Sequence, residues 1–233
     1  VGLYEDFPLL NYLRNLVHLT SGKNGCAEGA CGACMVLSDG VAQRACLLKL
    51  SRLENKNIIT VEGISEKERD AFAFAFGKCG AVQCGFCIPG MVISAKGLLD
   101  KKPDPNEEEI KAALKGNICR CTGYVKIIEA IRLTAKILRE NEEIPKVPCK
   151  GLIGENLIRI DAEVKTLGIG KYTEDLHFEG MLYGSALRTK YPRALIKSIN
   201  TEKAKALDGV YAGLTVEDIP GDRYIGPIVQ DWP

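Results

Sequence analysis

Ten cysteines, at positions 26, 31, 34, 46, 79, 84, 87, 119, 121 and 149, constrain this 233-residue chain more than any other feature. Eight of them form two groups. Cys26-x4-Cys31-x2-Cys34-x11-Cys46 crowds three thiols into one short loop, and Cys84-x2-Cys87-x31-Cys119-x-Cys121 joins two close pairs across a long gap. Disulfides suit small secreted domains. In a chain of this size, opening without a basic-then-apolar export signal, metal binding or redox chemistry is the expectation. The first residue is Val1, so the chain is expected to be a fragment at its start.

The x4, x2 spacing of the first group is that of plant-type [2Fe–2S] ligation, with a fourth thiolate arriving from elsewhere. A loop that curls around two irons needs a backbone tolerant of positive φ and close approach. Gly25, Gly29 and Gly32 are read as supplying it and as exposing N–H groups to anionic sulfur. The alternative is a four-thiolate zinc site, but such sites carry two short hairpin pairs rather than three ligands on one loop. In the second group each pair stands beside an expected helix start, Cys87 before Pro89 and Cys121 before Thr122-Gly123. The positive N-terminal ends of those helices would favour thiolates, and Arg120 adds charge between two ligands. Two pairs alone would also suit zinc; beside the first group, paired electron carriers are the stronger reading.

Three stretches separate along the chain. Residues 1–60 read as a small α+β unit. Asp6 is placed to cap a helix with Pro8 in its first turn and Leu10, Leu13 and Val17 on one face; "MVLSDGVAQRAC" reads as two short strands around Asp39-Gly40. Residues 66–141 read as four helices, suggesting a bundle. In "DAFAFAFGKCG" the phenylalanines alternate as in a strand, but Ala fills the positions between them, so a helix burying Phe72 and Phe76 is expected. A helix opens at Pro89 with Met91, Ala95 and Leu98 aligned. Another follows Pro105 and stops at Gly116. A last one, from Val125 to Arg139, is striped by Ile127, Ile128, Ile131, Ala135 and Leu138. "NEEIPKVPCK" reads as a linker. Beyond it "GMLYGSAL" and "YAGLTV" read as β-rich, separated by a short helical "TEKAKAL", in a third segment cut off at its end.

"GCAEGACGAC", "QCGFCIPGM" and "GNICRCTGY" together resemble the iron–sulfur part of the molybdenum hydroxylases, the xanthine dehydrogenase and aldehyde oxidoreductase family. The resemblance covers residues 1–141 nearly continuously. It implies an α+β chain made of a plant-type ferredoxin-like (β-grasp) domain over 1–62 and a four-helix-bundle [2Fe–2S] domain over 63–141. A linker over 142–160 would follow, then the truncated α/β start of the family's hammerhead domain over 161–233. It implies two [2Fe–2S] clusters, one on Cys26, Cys31, Cys34 and Cys46 nearer the electron exit. The other, on Cys84, Cys87, Cys119 and Cys121, lies nearer the molybdopterin, with Gln83 and Cys121 close to the pterin. "RIDAEVKTLGIGKYTEDL", "GMLYGSALRTKYPRALIKSI" and "DGVYAGLTVEDIPG" resemble the opening of the large molybdopterin-binding chain more loosely, "KTLGIGKY" replacing the usual Thr-Gly-rich turn. With no flavin domain between bundle and large chain, FAD is expected only on a separate subunit. That direct fusion is similar to prokaryotic aldehyde oxidoreductases and selenium-dependent xanthine dehydrogenases, most of all the latter. The family's first strand is absent or reduced to "VGLYED", which would leave an unpaired sheet edge. No molybdenum ligand or catalytic glutamate lies within these residues, so no catalytic residue is assigned.

The other candidates read more plainly. Cys79 is expected to be a buried small hydrophobe and Cys149 a linker thiol. His18 and His177 stand at no ligand or triad spacing. Glu107, Glu108 and Glu109 suit a helix first turn better than paired catalytic carboxylates. "GLIGENLIRI" lacks a dinucleotide fingerprint. Lys23 and Arg44 could tune the first cluster or meet an acidic electron acceptor, but a solvated face is the preferred reading. A formal net charge of +1 gives no support to nucleic acid or an anionic membrane as partner, and no apolar run approaches the ~18 residues of a membrane span.

The function expected is therefore an electron relay. It would carry electrons from a molybdopterin site through two clusters to an FAD-binding subunit or other acceptor, in hydroxylation of a purine such as xanthine, in the cytoplasm. The alternatives are an aldehyde oxidoreductase relay, a zinc-stapled interaction module with no redox role, and a free-standing ferredoxin-like carrier.

Overall fold

The computed structural model describes residues 6–145, 152–222, 224–226 and 228–230. Cys149 and all of "VGLYED" except Asp6 lie outside them. The chain divides into two compact units, 1–176 and 177–233.

The first unit opens on a short helix, α1 (Leu9–Asn11), that widens into a π-turn over Tyr12–Leu16. Pro8 stands at its N-cap and no side chain caps it; Asp6 instead pairs with Lys49 at 2.7 Å, so the expected cap is corrected. Leu9, Leu10 and Leu13 are buried, but Val17 is exposed because the π-turn rotates it off their face. Strands β1 (Met35–Ser38) and β2 (Val41–Arg44) form the hairpin expected around Asp39-Gly40, both of which adopt positive φ as a tight two-residue turn requires. Strand β3 (Ile58–Ile59) pairs antiparallel with the far edge of β1, giving the order β2-β1-β3.

All four residues of β1 are buried, and its alternation serves two cores. Val36 joins Leu9, Leu10 and Leu13 on one side. Met35 and Leu37 join the helical core on the other.

That second core is built by α2 (Glu66–Lys78), α3 (Ile88–Leu99), α4 (Glu107–Leu114) and α5 (Val125–Glu140). Helix α2 packs on α5, α3 on α4 and β1, and α4 on α5. Each expected stripe points inward: Phe72 and Phe76, Met91 and Ala95, and Ile127, Ile128, Ile131 and Ala135 are buried, while Leu98 and Leu138 are half-buried against the same core. Ser65 with Glu68 and Asn106 with Glu109 form reciprocal capping boxes at the starts of α2 and α4, the second explaining the acidic first turn. A short helix, α6 (Ala162–Thr166), docks on α2 and α3, so residues of the latter part of the chain complete this unit.

The second unit holds α7 (Glu202–Lys205), a 3-10 turn at Val216–Asp218 and chain without regular structure. Its expected strands are corrected: among the described residues of 177–230 no named strand forms and no side chain is buried. Extended segments become strands only with ladder partners, and "GMLYGSAL" and "YAGLTV" find none there. No helix among the described residues is long and apolar enough to cross a membrane.

Candidate metal centres

The front thiols sit on the loop that feeds β1 and on the turn that leaves β2. The loop wraps Cys26: its Sγ accepts backbone N–H groups from Glu28 at 3.5 Å and from Ala30 and Cys31 at 3.4 Å. The amides of Glu28 and Cys31 dominate, lowering the thiol to about 7 against the opposing effect of burial. Gly29 and Gly32 adopt the positive φ expected of them, but Gly25 does not; Ala27 does instead. Gly25 is needed for close approach, since a Cβ there would lie 3.0 Å from the Cys31 sulfur. Cys34 is buried where the loop enters β1. Burial pushes its thiol up to about 12 against the Cys46 amide, which favours the thiolate, while the Cys46 and Cys31 thiols oppose its ionisation further. Such a thiol becomes a thiolate only beside a cation. The four thus fall into neighbours, Cys26 with Cys31 and Cys34 with Cys46.

The rear quartet is arranged likewise. Cys84 and Cys121 lie 3.6 Å apart, sulfur to sulfur, both exposed. Cys87 is buried as the N-cap of α3 and neighbours Cys119; burial drives its thiol upward, and Cys119 and Cys84 add to this. At Cys119 burial is outweighed by the Thr122 hydroxyl, which donates to Sγ at 3.1 Å, and by the amides of Cys121 and Thr122; its thiol is lowered. Cys87 stands at a helix start as expected. Cys121 does not, because Gly123 and Tyr124, both left-handed, intervene before α5. Tyr124 compensates: its hydroxyl accepts from the Cys119 N–H at 2.8 Å and donates to the Asn117 carbonyl at 3.1 Å.

The two loops meet through main chain. The Ile118 N–H donates to the Cys31 carbonyl at 2.8 Å, and Asn117 Nδ2 reaches the Gly32 carbonyl at 3.1 Å. Gly32 and Gly90 permit the contact. A Cβ on the first would meet the Gly116 oxygen at 2.2 Å, and one on the second the Gly32 oxygen at 2.3 Å.

Two groups lay beyond sequence reasoning. Lys23, expected on a solvated face, is wholly buried and pairs with Asp175 at 3.1 Å. Tyr172 donates its hydroxyl to the Cys84 carbonyl at 2.7 Å; burial, then Cys84 and Cys87, push the phenol up to about 12, so it stays a donor. Arg44 is also drawn inward, its guanidinium 3.4 Å from the Gly116 carbonyl. Gln83 is exposed, and its carbonyl accepts from Arg159 at 2.6 Å. Cys79 is half-buried and packs beside the helical core. His18 and His177 are exposed.

Each quartet contains two close pairs that also neighbour one another, Cys31 with Cys34 in the front group and Cys84 with Cys87 in the rear. Among the described residues no three Cys, His, Asp or Glu side chains could hold a single ion. An iron–sulfur cluster, if bound, would be held by such a quartet of thiolates and would supply one-electron chemistry; the N–H groups on Cys26 suit its net negative charge.

Comparison with known proteins finds an iron–sulfur binding domain in the chain. Residues 60–132 match the profile of the [2Fe-2S] binding domain, and 167–231 that of the aldehyde oxidase and xanthine dehydrogenase a/b hammerhead domain. The nicotinate dehydrogenase small FeS subunit of Eubacterium barkeri is 49% identical over 53% of this chain and 80% of its own length. The aldehyde oxidoreductase of Megalodesulfovibrio gigas is 35% identical over 98% of this chain, which spans only 27% of that relative. The crystal structure of the aldehyde oxidoreductase from Desulfovibrio desulfuricans superposes with a TM-score of 0.84 at 38% identity, covering 95% of this chain and 26% of the other. These relatives are oxidoreductases, and the chain belongs with them to the molybdenum hydroxylase family, that of the xanthine dehydrogenases and aldehyde oxidoreductases.

Proposed function

We propose that this chain is the iron–sulfur electron-transfer part of a molybdenum hydroxylase, serving between a molybdopterin site and a flavin subunit or other acceptor. The observation that carries the reading is the division of eight thiols into two quartets of paired sulfurs. Cys26, Cys31, Cys34 and Cys46 hold one [2Fe–2S] cluster in a ferredoxin-like domain. Cys84, Cys87, Cys119 and Cys121 hold the other in a helical-bundle domain. Clusters of this kind, when bound, supply one-electron chemistry whose potential depends on charge, exposure and hydrogen bonds to sulfur.

Exposure supports a choice of sides. Gln83, Cys84 and Cys121 open to the surface, which supports a pterin approach there, with Gln83 and Cys121 nearest to it. The exposed apolar side chains of 177–230, Leu187, Leu195 and Ile228 among them, suit burial against a molybdopterin-binding domain or subunit. The reading extends to a cytoplasmic purine hydroxylase with FAD on another subunit. An aldehyde substrate is the second reading, favoured by the two aldehyde oxidoreductases that match most of the chain.

Anaerobically purified protein is expected to carry about four irons per chain and to give two distinct [2Fe–2S] signals on reduction. Cys31→Ser and Cys84→Ser should each remove one signal and spare the other. Stoichiometric zinc in a colourless protein would replace this reading with the interaction module.

A further inference from the structure

The loop from Val82 to Cys87 turns two exposed carbonyls outward, those of Gln83 and Cys84, and residues from far along the chain take both. Arg159 Nη1 donates to the Gln83 oxygen at 2.6 Å, with Lys165 Nζ at 3.5 Å. The Tyr172 hydroxyl donates to the Cys84 oxygen at 2.7 Å. Gly85 sits at φ 85° directly beneath the Lys165 stem, which a Cβ would strike at 2.7 Å.

Tyr172 is itself fixed from three sides. Phe86 meets its ring edge-on at 5.1 Å, the Lys23 ammonium lies 5.0 Å above the ring, and the Tyr172 N–H donates to Asp175 at 3.0 Å. Asp175 is gripped by Arg14 and Lys23. Lys23 also faces the carbonyls of Gly168 and Gly170, and Arg14 those of Thr20 and Gly22, a few residues before Cys26.

We propose that residues 158–175 form a strap in which Tyr172, assisted by Arg159, is a positioning residue for the rear thiols, holding the carbonyls of the loop that presents Cys84 and Cys87. A ring held by Phe86 and Lys23 on a backbone tied to Asp175 gives its hydroxyl one place to point, so even these exposed bonds restrict the carbonyls they join. The strap's other end is anchored beside the front loop, so one segment ties both quartets. This rests on the two-cluster reading above for its consequence, not for its geometry.

The test compares Tyr172→Phe and Arg159→Met with the unmodified full chain, by amide hydrogen exchange and by reduced-state spectra. Arg159 is half-exposed, so its variant is expected to fold. In both variants amides of 83–88 should exchange about fivefold faster while those of 27–33 keep their rates. The rear spectral signal should shift in Tyr172→Phe and the front one should not. Unchanged exchange at 83–88 overturns the proposal, as does a uniform loss of protection across 6–145. If the unmodified chain lacks two signals, the two-cluster reading fails, and the exchange rates alone decide the strap.

Discussion

Asp175 neutralises two cations inside the protein, and its side chain is only 3% exposed. Removing one member of a buried pair leaves the other uncompensated, at a cost of about 3 kcal/mol. Asp175→Asn leaves Lys23 without its carboxylate and Arg14 with Glu174 alone, at 3.4 Å, whereas Lys23→Met leaves the aspartate its guanidinium. The aspartate variant should therefore show the larger drop in urea midpoint. The same triad sets an acid limit. Burial raises the Asp175 pKa, but the Tyr172 amide, Arg14 and Lys23 outweigh it, with Glu174 also facing Arg14, and the net shift is downward. A depressed folded pKa means the unfolded chain binds more protons between the two values, so this stability is present above the ordinary carboxylate value near ~4 and lost as pH falls through the folded one. Glu62, lowered by Ser21 and Thr60 against burial, acts in the same direction. Protection of amides in 161–175 should collapse below about pH 4 in the unmodified chain and be weak at every pH in Asp175→Asn. None of this was legible beforehand, because Lys23 and Asp175 are 152 residues apart and nothing local marks either as buried.

Helices announce themselves within a few residues, and there the sequence reading held. Phe72 and Phe76 point into the core and Phe74 lies partly out, as a helix requires and a strand forbids. Phe76→Ala should cost about 3–4 kcal/mol and Phe74→Ala well under half of that, measured by thermal unfolding. A strand would have made the two equal. What failed at this scale depended on distant partners or on subtle winding. Val17 was misplaced by one π-turn, and the apolar runs after residue 177 looked like strands although no ladder among the described residues receives them. The thiols were the opposite case. Their spacing displayed both quartets, but the pairing within each, and the amides on Cys26, came only with the folded backbone.

At the scale of the whole first unit, β1 belongs to two cores and two glycines let the thiol loops touch. Gly90 lies in the first turn of α3, where exchange for alanine ordinarily favours the helix by up to ~1 kcal/mol. Here the added methyl would meet the Gly32 carbonyl at 2.3 Å, a backbone atom that cannot step aside. Gly90→Ala should therefore destabilise by about 1–3 kcal/mol, reversing the usual sign in an equilibrium denaturation series.

The hydrogen bond from Ile118 to the Cys31 carbonyl has a further consequence. The Ile118 side chain is 56% exposed, so only its peptide nitrogen takes part in the junction. Nineteen of the amino acids offer that same nitrogen-bound hydrogen. Position 118 is thus free to drift in polarity, size and charge to suit whatever lies outside, while the bridge between the halves persists beneath it; proline alone would cut it.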